Sequence, residues 1–104
     1  MTKKRVMELI IKERERQDQL RKAGKHPWSM NSIDVDDRRK LVVLAEEFGE
    51  VAMAVCKQTQ TVDGCKEGDD VHKQLEEIEE NLTEELVQVA ACCVAWLESR
   101  QESR

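Results

Sequence analysis

Tyrosine is absent from this 104-residue chain, phenylalanine and proline occur once each, and aromatic residues make up only 3%. Sandwiches and barrels need aromatic and β-branched strands broken by frequent turn residues, so this scarcity argues against both. No apolar run reaches the ~20 residues of a membrane span, and the first residues lack the apolar core of a secretion signal. Excess positive charge is missing as well. The formal charge is −5, and the Lys and Arg of the first 25 residues alternate with Glu8, Glu13, Glu15 and Asp18. Binding a nucleic-acid backbone needs cations gathered on one face, so this segment reads as a salted helix surface and not as a basic arm. We expect a cytoplasmic protein with no nucleic-acid polymer and no membrane as partner. Cys56, Cys65, Cys92 and Cys93 form no metal-ligand spacing, and in that compartment they read as reduced thiols, mostly buried.

What is present is helix-forming material. Charged residues make up 38% of the chain, apolar residues 39%, and Glu, Lys, Arg, Leu, Val and Ala dominate. The expected fold class is all-α: one domain over 1–104, a bundle of long helices completed by pairing with copies of itself, as a homodimer or homotetramer. Helix 1 is expected within 1–24, stopped by Gly24. A loop over 25–34 carries His26, Pro27 and Trp28. Helix 2 is expected over 35–57, with Asp34 as its cap and Leu41, Leu44, Ala45, Phe48, Val51, Ala52 and Val55 as its main apolar stripe. A Thr- and Gly-containing loop over 58–68 leads to helix 3 over 69–100. The apolar phase of helix 3 is unbroken, although Asn81 with Glu84 resembles a capping box and offers an alternative break.

Acid occurs where it is expensive. Glu47 and Glu50 fall on a second side of helix 2, bracketed by Val43 and Ala54, and one turn separates their side chains by about 5–6 Å. In helix 3, every residue from Leu86 to Leu97 except Gln88 is apolar or Cys, which marks a helix buried all round. Gln88 lies one turn beyond Glu85, repeating the spacing of the other pair. Two helices that each bring a polar pair into a bundle core can build a carboxylate metal site. They can equally build a buried network neutralised by Arg or Lys. Spacing alone does not decide, because Glu76–Glu79 and Glu77–Glu80 have it too and read as solvated faces.

The segment Glu46-Glu47-Phe48-Gly49-Glu50 resembles the E-E-x-x-E motif of the MazG-like all-α nucleoside triphosphate pyrophosphohydrolases. Glu85-Leu86-Val87-Gln88 sits where that family places E-x-x-D. Glu13-Arg14-Glu15-Arg16-Gln17 and His26-Pro27-Trp28 are similar to the first helix and loop of its small members, so the resemblance spans roughly residues 10 to 99. It implies a Mg²⁺-dependent enzyme that cleaves a (d)NTP to the monophosphate and pyrophosphate. Glu47, Glu50, Glu85 and Gln88 would be the metal ligands. Gln88 departs from the family's aspartate: an amide oxygen can ligate Mg²⁺ but brings no charge.

Mg²⁺ favours hard oxygen ligands and bridges carboxylates to phosphates. Glu46 is the candidate to orient or deprotonate an attacking water, and no His or Cys is placed as a nucleophile. Gln17, His26 and Trp28 are the candidate substrate-binding residues. Lys57, Lys73 and Arg100 are possible phosphate partners. A non-catalytic oligomerisation or adaptor module that keeps the fold is the alternative function, and Gln88 is the feature that keeps it open.

Overall fold

A computed structural model of the chain describes residues 1–24, 30–32, 34–63 and 71–102. Those residues form three α-helices and no strand: α1 over Lys3–Lys22, α2 over Asp37–Asp63 and α3 over Val71–Glu102. The all-α class is as expected. Thr2 caps α1 by accepting a hydrogen bond from the backbone N–H of Arg5 at 3.1 Å. Gly24 closes it with φ at 75°, its N–H donating to the carbonyl of Arg21. A left-handed residue here satisfies an otherwise orphaned carbonyl, and glycine adopts it without strain.

The boundaries of α2 differ from the expected 35–57 at both ends. Its cap is Asp36 instead of Asp34, since Asp36 Oδ1 accepts from the N–H of Arg39 at 2.9 Å. The helix also runs through the Thr-rich stretch to Asp63. Thr59 directs its hydroxyl back to the carbonyl of Val55 at 3.4 Å, so its polar group is satisfied inside the helix. α3 passes Asn81 without a break. Thr83 likewise donates to the carbonyl of Glu79, at 3.0 Å.

Among the described residues α1 and α2 both pack on α3 and not on each other. α2 and α3 run antiparallel: Lys40 Nζ reaches Ser99 Oγ at 2.7 Å near one end, and Glu47 meets Gln88 farther along. Small residues allow the close approach, with Ala54, Ala91 and Ala95 at most 2% exposed. Met30, Cys92 and Ala95 form the core cluster, with Val43, Leu44 and Trp96 packed against it. Trp96 also donates its indole N–H to Asp37 at 2.8 Å.

This core is thin. No large side chain among the described residues is fully buried, and the face of α2 that turns inward is Lys40, Val43, Leu44, Glu47, Val51 and Ala54. The stripe expected to be the main buried one is split: Leu44 and Val51 turn inward, whereas Leu41, Phe48 and Val55 face outward, 56%, 63% and 44% exposed. α3 is also not buried all round, because Leu86, Cys93 and Leu97 are exposed. Three helices offer α3 two neighbours and α2 one, so these outer faces stay uncovered within one chain.

One conspicuous tie joins α1 to α3. Arg14, only 6% exposed, gives its Nε and Nη2 to the two carboxylate oxygens of Glu98 at 3.1 and 2.7 Å. Its remaining donors reach Gln17 at 2.9 Å and Asp18 at 3.1 Å. Asn31 also donates to Glu98, at 3.3 Å, which draws the end of the loop into the same network. Among the described residues no helix is long and apolar enough to cross a membrane.

Candidate metal centre and adjoining cavity

Antiparallel packing of α2 on α3 sets Glu47 and Glu50 level with Glu85. Each offers a carboxylate oxygen, and the three oxygens lie within 4.8 Å of one another. This is the one such trio of His, Cys, Asp or Glu among the described residues. Glu47 and Glu85 are half-buried and Glu50 is exposed, so the trio sits at the lip of the helix interface. Gln88 completes the pairing expected from its one-turn spacing. Hydrogen-bond complementarity assigns its amide nitrogen to the side of the acids, where it donates to Glu47 Oε2 at 3.1 Å and Glu85 Oε2 at 3.3 Å. In this orientation Gln88 bridges the two carboxylates; half a turn of the amide would present its oxygen instead.

The electrostatics record the cost of this grouping. Burial, then hydrogen bonding to Glu50, then the charges of Glu50, Glu47 and Glu84 push the Glu85 carboxyl up from 4.5 to about 7. Only a protonated acid can donate between two carboxyl groups, so that contact belongs to the protonated form and is lost as pH rises through about 7. Glu47 is raised as well, first by burial and then by Glu50, Glu13 and Glu46, while Arg16 opposes the shift. Cys92 lies close enough to feel Glu47, and burial above all pushes its thiol up to about 11. It is therefore a protonated packing group and not a nucleophile.

The donor set suits a hard divalent cation. Octahedral Mg²⁺ with oxygens at ~2.1 Å holds neighbouring ligands ~3 Å apart and opposite ones ~4.2 Å apart. Three carboxylate oxygens within 4.8 Å of one another approach that spacing. Carboxylates with no sulfur or imidazole favour Mg²⁺, Mn²⁺ or Ca²⁺ over Zn²⁺.

Beside the trio a cavity of about 570 Å³ opens between α1 and α3. Gln88 and Glu84 form its wall on α3, and Lys12, Glu13 and Arg16 its wall on α1. The volume falls in the range of small-molecule sites. The cations on this wall were not singled out from the sequence, where Lys12 and Arg16 look like ordinary members of a charged helix. Only the approach of α1 to α3 distinguishes them.

The remaining candidates lie elsewhere or apart. Gln17 is bonded to Arg14 and does not line the cavity. Glu46 is exposed, next to the trio in sequence but outside it. His26 and Trp28 lie outside the described residues, as does Cys65. Arg100 stands near Asp37, 3.6 Å from its carboxylate, which is ten residues or ~15 Å along α2 from Glu47. No family model, curated protein or solved structure matches this chain. The likeness to MazG-like enzymes thus rests on the motifs themselves.

Proposed function

We propose that this chain is a MazG-like, Mg²⁺-dependent nucleoside triphosphate pyrophosphohydrolase that converts a (d)NTP to the (d)NMP and pyrophosphate. The observation that carries the reading is the convergence of Glu47, Glu50 and Glu85, from two helices, with a carboxylate oxygen of each within 4.8 Å of the others. Those three residues would hold the ion, with Gln88 turning its oxygen inward as a neutral fourth ligand. When bound, Mg²⁺ supplies Lewis-acid polarisation of the phosphate and lowers the pKa of a coordinated water. Glu46 accepts the proton of the attacking water. The water oxygen forms the new P–O bond, the bridge between the α and β phosphates breaks, and pyrophosphate leaves with the bonding electrons. His26 and Trp28 are assigned to the base, where an aromatic ring can stack. Gln17, tied to Arg14, supports that end of α1 and reaches the substrate only if it exchanges partners.

We assign the uncovered apolar faces of α2 and α3 to self-association as a homodimer or homotetramer. A cytoplasmic location belongs to the same reading. The second reading, a helical oligomerisation or adaptor module without hydrolysis, draws support from those same faces and from the uncharged Gln88. One assay separates the two. The purified protein is incubated with each dNTP and Mg²⁺, and the monophosphate and pyrophosphate are measured. Turnover abolished by Glu50→Gln, with the oligomer intact, supports the enzyme. Absence of turnover together with absence of Mg²⁺-linked thermal stabilisation refutes it and leaves the adaptor.

A further inference from the structure

The cavity between α1 and α3 carries a charge pattern that specifies its ligand more closely. Two cations, Lys12 and Arg16, line it against three carboxylates, Glu13, Glu15 and Glu84, leaving one negative charge in excess before the neighbouring trio is counted. A free polyphosphate would be repelled by this wall. Lys12 and Arg16 are one turn apart and share a helix face. Arg16 is 54% exposed and its guanidinium is clasped by Glu13, with Nη2 to Oε1 at 2.6 Å and Nε to Oε2 at 2.8 Å. Glu13 itself is only 13% exposed, and its charge and that of Arg16 are both felt at Glu47. The clasp therefore lies on the cavity wall within electrostatic reach of Glu47, and a guanidinium offers the planar two-donor geometry that also fits a phosphate.

We infer that Arg16 is a phosphate-binding residue held in reserve by Glu13, and that this cavity takes a polyphosphate only as its divalent-metal complex. On binding, the guanidinium exchanges one Glu13 carboxylate for phosphate oxygens, while the metal offsets the repulsion from the acidic wall. Lys12, one turn away, adds a second contact. The inference rests on the pyrophosphohydrolase reading and adds to it the residue that grips the phosphates and the charge state in which the substrate enters.

Isothermal titration with inorganic tripolyphosphate tests it without any chemical step, on the wild-type protein, R16A and E13Q, each with Mg²⁺ and with chelator. Arg16 is exposed enough that its removal leaves the helix intact, which a thermal melt verifies. The expected result is binding with Mg²⁺ and none with chelator, weakened roughly tenfold or more by R16A and tightened roughly threefold by E13Q. A pair that served only the helix surface would give equal affinities in all three proteins, and that result overturns the inference. So does binding of metal-free tripolyphosphate as tight as that of its Mg²⁺ complex, or no binding at all. Monophosphate release from dNTPs, measured in parallel, separates the two levels. Hydrolysis by the wild type with unchanged tripolyphosphate affinity in R16A sinks this inference alone, whereas loss of both hydrolysis and Mg²⁺-linked binding sinks the enzyme reading with it.

Discussion

Replacing Glu85 by glutamine should stabilise the metal-free protein near pH 8 and weaken it, relative to wild type, once Mg²⁺ is added. Glu85 sits at about 7 in the folded chain against 4.5 as an ordinary carboxyl, because burial, Glu50 and Glu47 all oppose its charge. A group raised in this way contributes fully below its unfolded value, and the contribution fades as pH climbs through the folded one. At ~1.4 kcal/mol per tenfold change, the gap corresponds to about 3.4 kcal/mol for a fully enclosed group. Solvent at the lip of the interface reduces that to about 1–2 kcal/mol. A neutral amide of the same shape removes the penalty, so metal-free E85Q should melt ~5–10 °C above wild type near pH 8. The two should converge below about pH 4.5, where the carboxyl is protonated folded or unfolded. Excess Mg²⁺ at a hundred times its Kd adds about 2.7 kcal/mol to wild type and far less to a protein lacking one of three carboxylates, inverting the order. Scanning calorimetry from pH 4 to 8, with Mg²⁺ and with chelator, reads all of this. If metal-free E85Q melts below wild type at pH 8, the carboxylate is a structural partner and the metal centre is refuted.

Arg14→Ala should cost about 2–3 kcal/mol by denaturant melt, since it strips a buried guanidinium from Glu98, Gln17 and Asp18 at once. Because Arg14 holds the Glu98 carboxyl below its usual range, the same variant should also lose part of the acid sensitivity of wild type. Stability from Glu98 is present above the ordinary carboxylate range and falls as pH drops through its lowered value; an unchanged acid limb would contradict this. Phe48→Ser, on the outward face of α2, should lower the mass seen by light scattering without reducing helix content by circular dichroism. A monomeric wild type, or loss of helix in the variant, would contradict the assignment of that face. Cys56 should react with a thiol reagent at once and Cys92 only at the rate of unfolding, given its burial and a thiol pushed up to about 11. Mass mapping of fast-labelled sites would disprove the placement if Cys92 were among them.

Helix type was legible in this chain because composition left little else and the apolar phases were long. Gly24 could be read as a stop because a left-handed residue there has one common occupant. The end of α2 could not. Thr59 is as compatible with a loop as with a helix until its hydroxyl is seen bonding back to Val55. The wheel of α2 separated its two faces but not which one turns inward. Of the more apolar stripe, Leu44 and Val51 turn inward while Leu41, Phe48 and Val55 do not, because the helix is rotated so that Glu47, Val51 and Ala54 meet α3, where Ala91 and Ala95 permit close approach. A pattern within one helix ranks hydrophobicity; it carries no information on which neighbour belongs to the same chain. Glu47, Glu50, Glu85 and Gln88 could be found because a polar residue inside an apolar stretch is conspicuous. Arg14, Lys12 and Arg16 could not, since on a helix this charged their roles are set by where α1 crosses α3.

The contrast between the two acidic arrangements bears most directly on function. Where this chain buries a charge for structure, at Arg14, it surrounds the guanidinium with Glu98, Asp18 and Gln17 and draws the Glu98 carboxyl downward. At Glu47, Glu50 and Glu85 it gathers acids instead, and the carboxyls of Glu47 and Glu85 are drawn upward. Among the described residues no ion pair reaches these three, and the one cation felt at Glu47 is Arg16, which Glu13 already clasps. Glu47 and Glu85, pushed upward by burial and then by neighbouring carboxylates, make a poor brace for two helices, and alanine or leucine at the same positions would brace them better. The grouping makes physical sense if what it stabilises is a ligand of opposite charge. A divalent ion would displace the proton of Glu85, which is about half-occupied at pH 7, so its binding should release roughly half a proton there and strengthen as pH rises through that value.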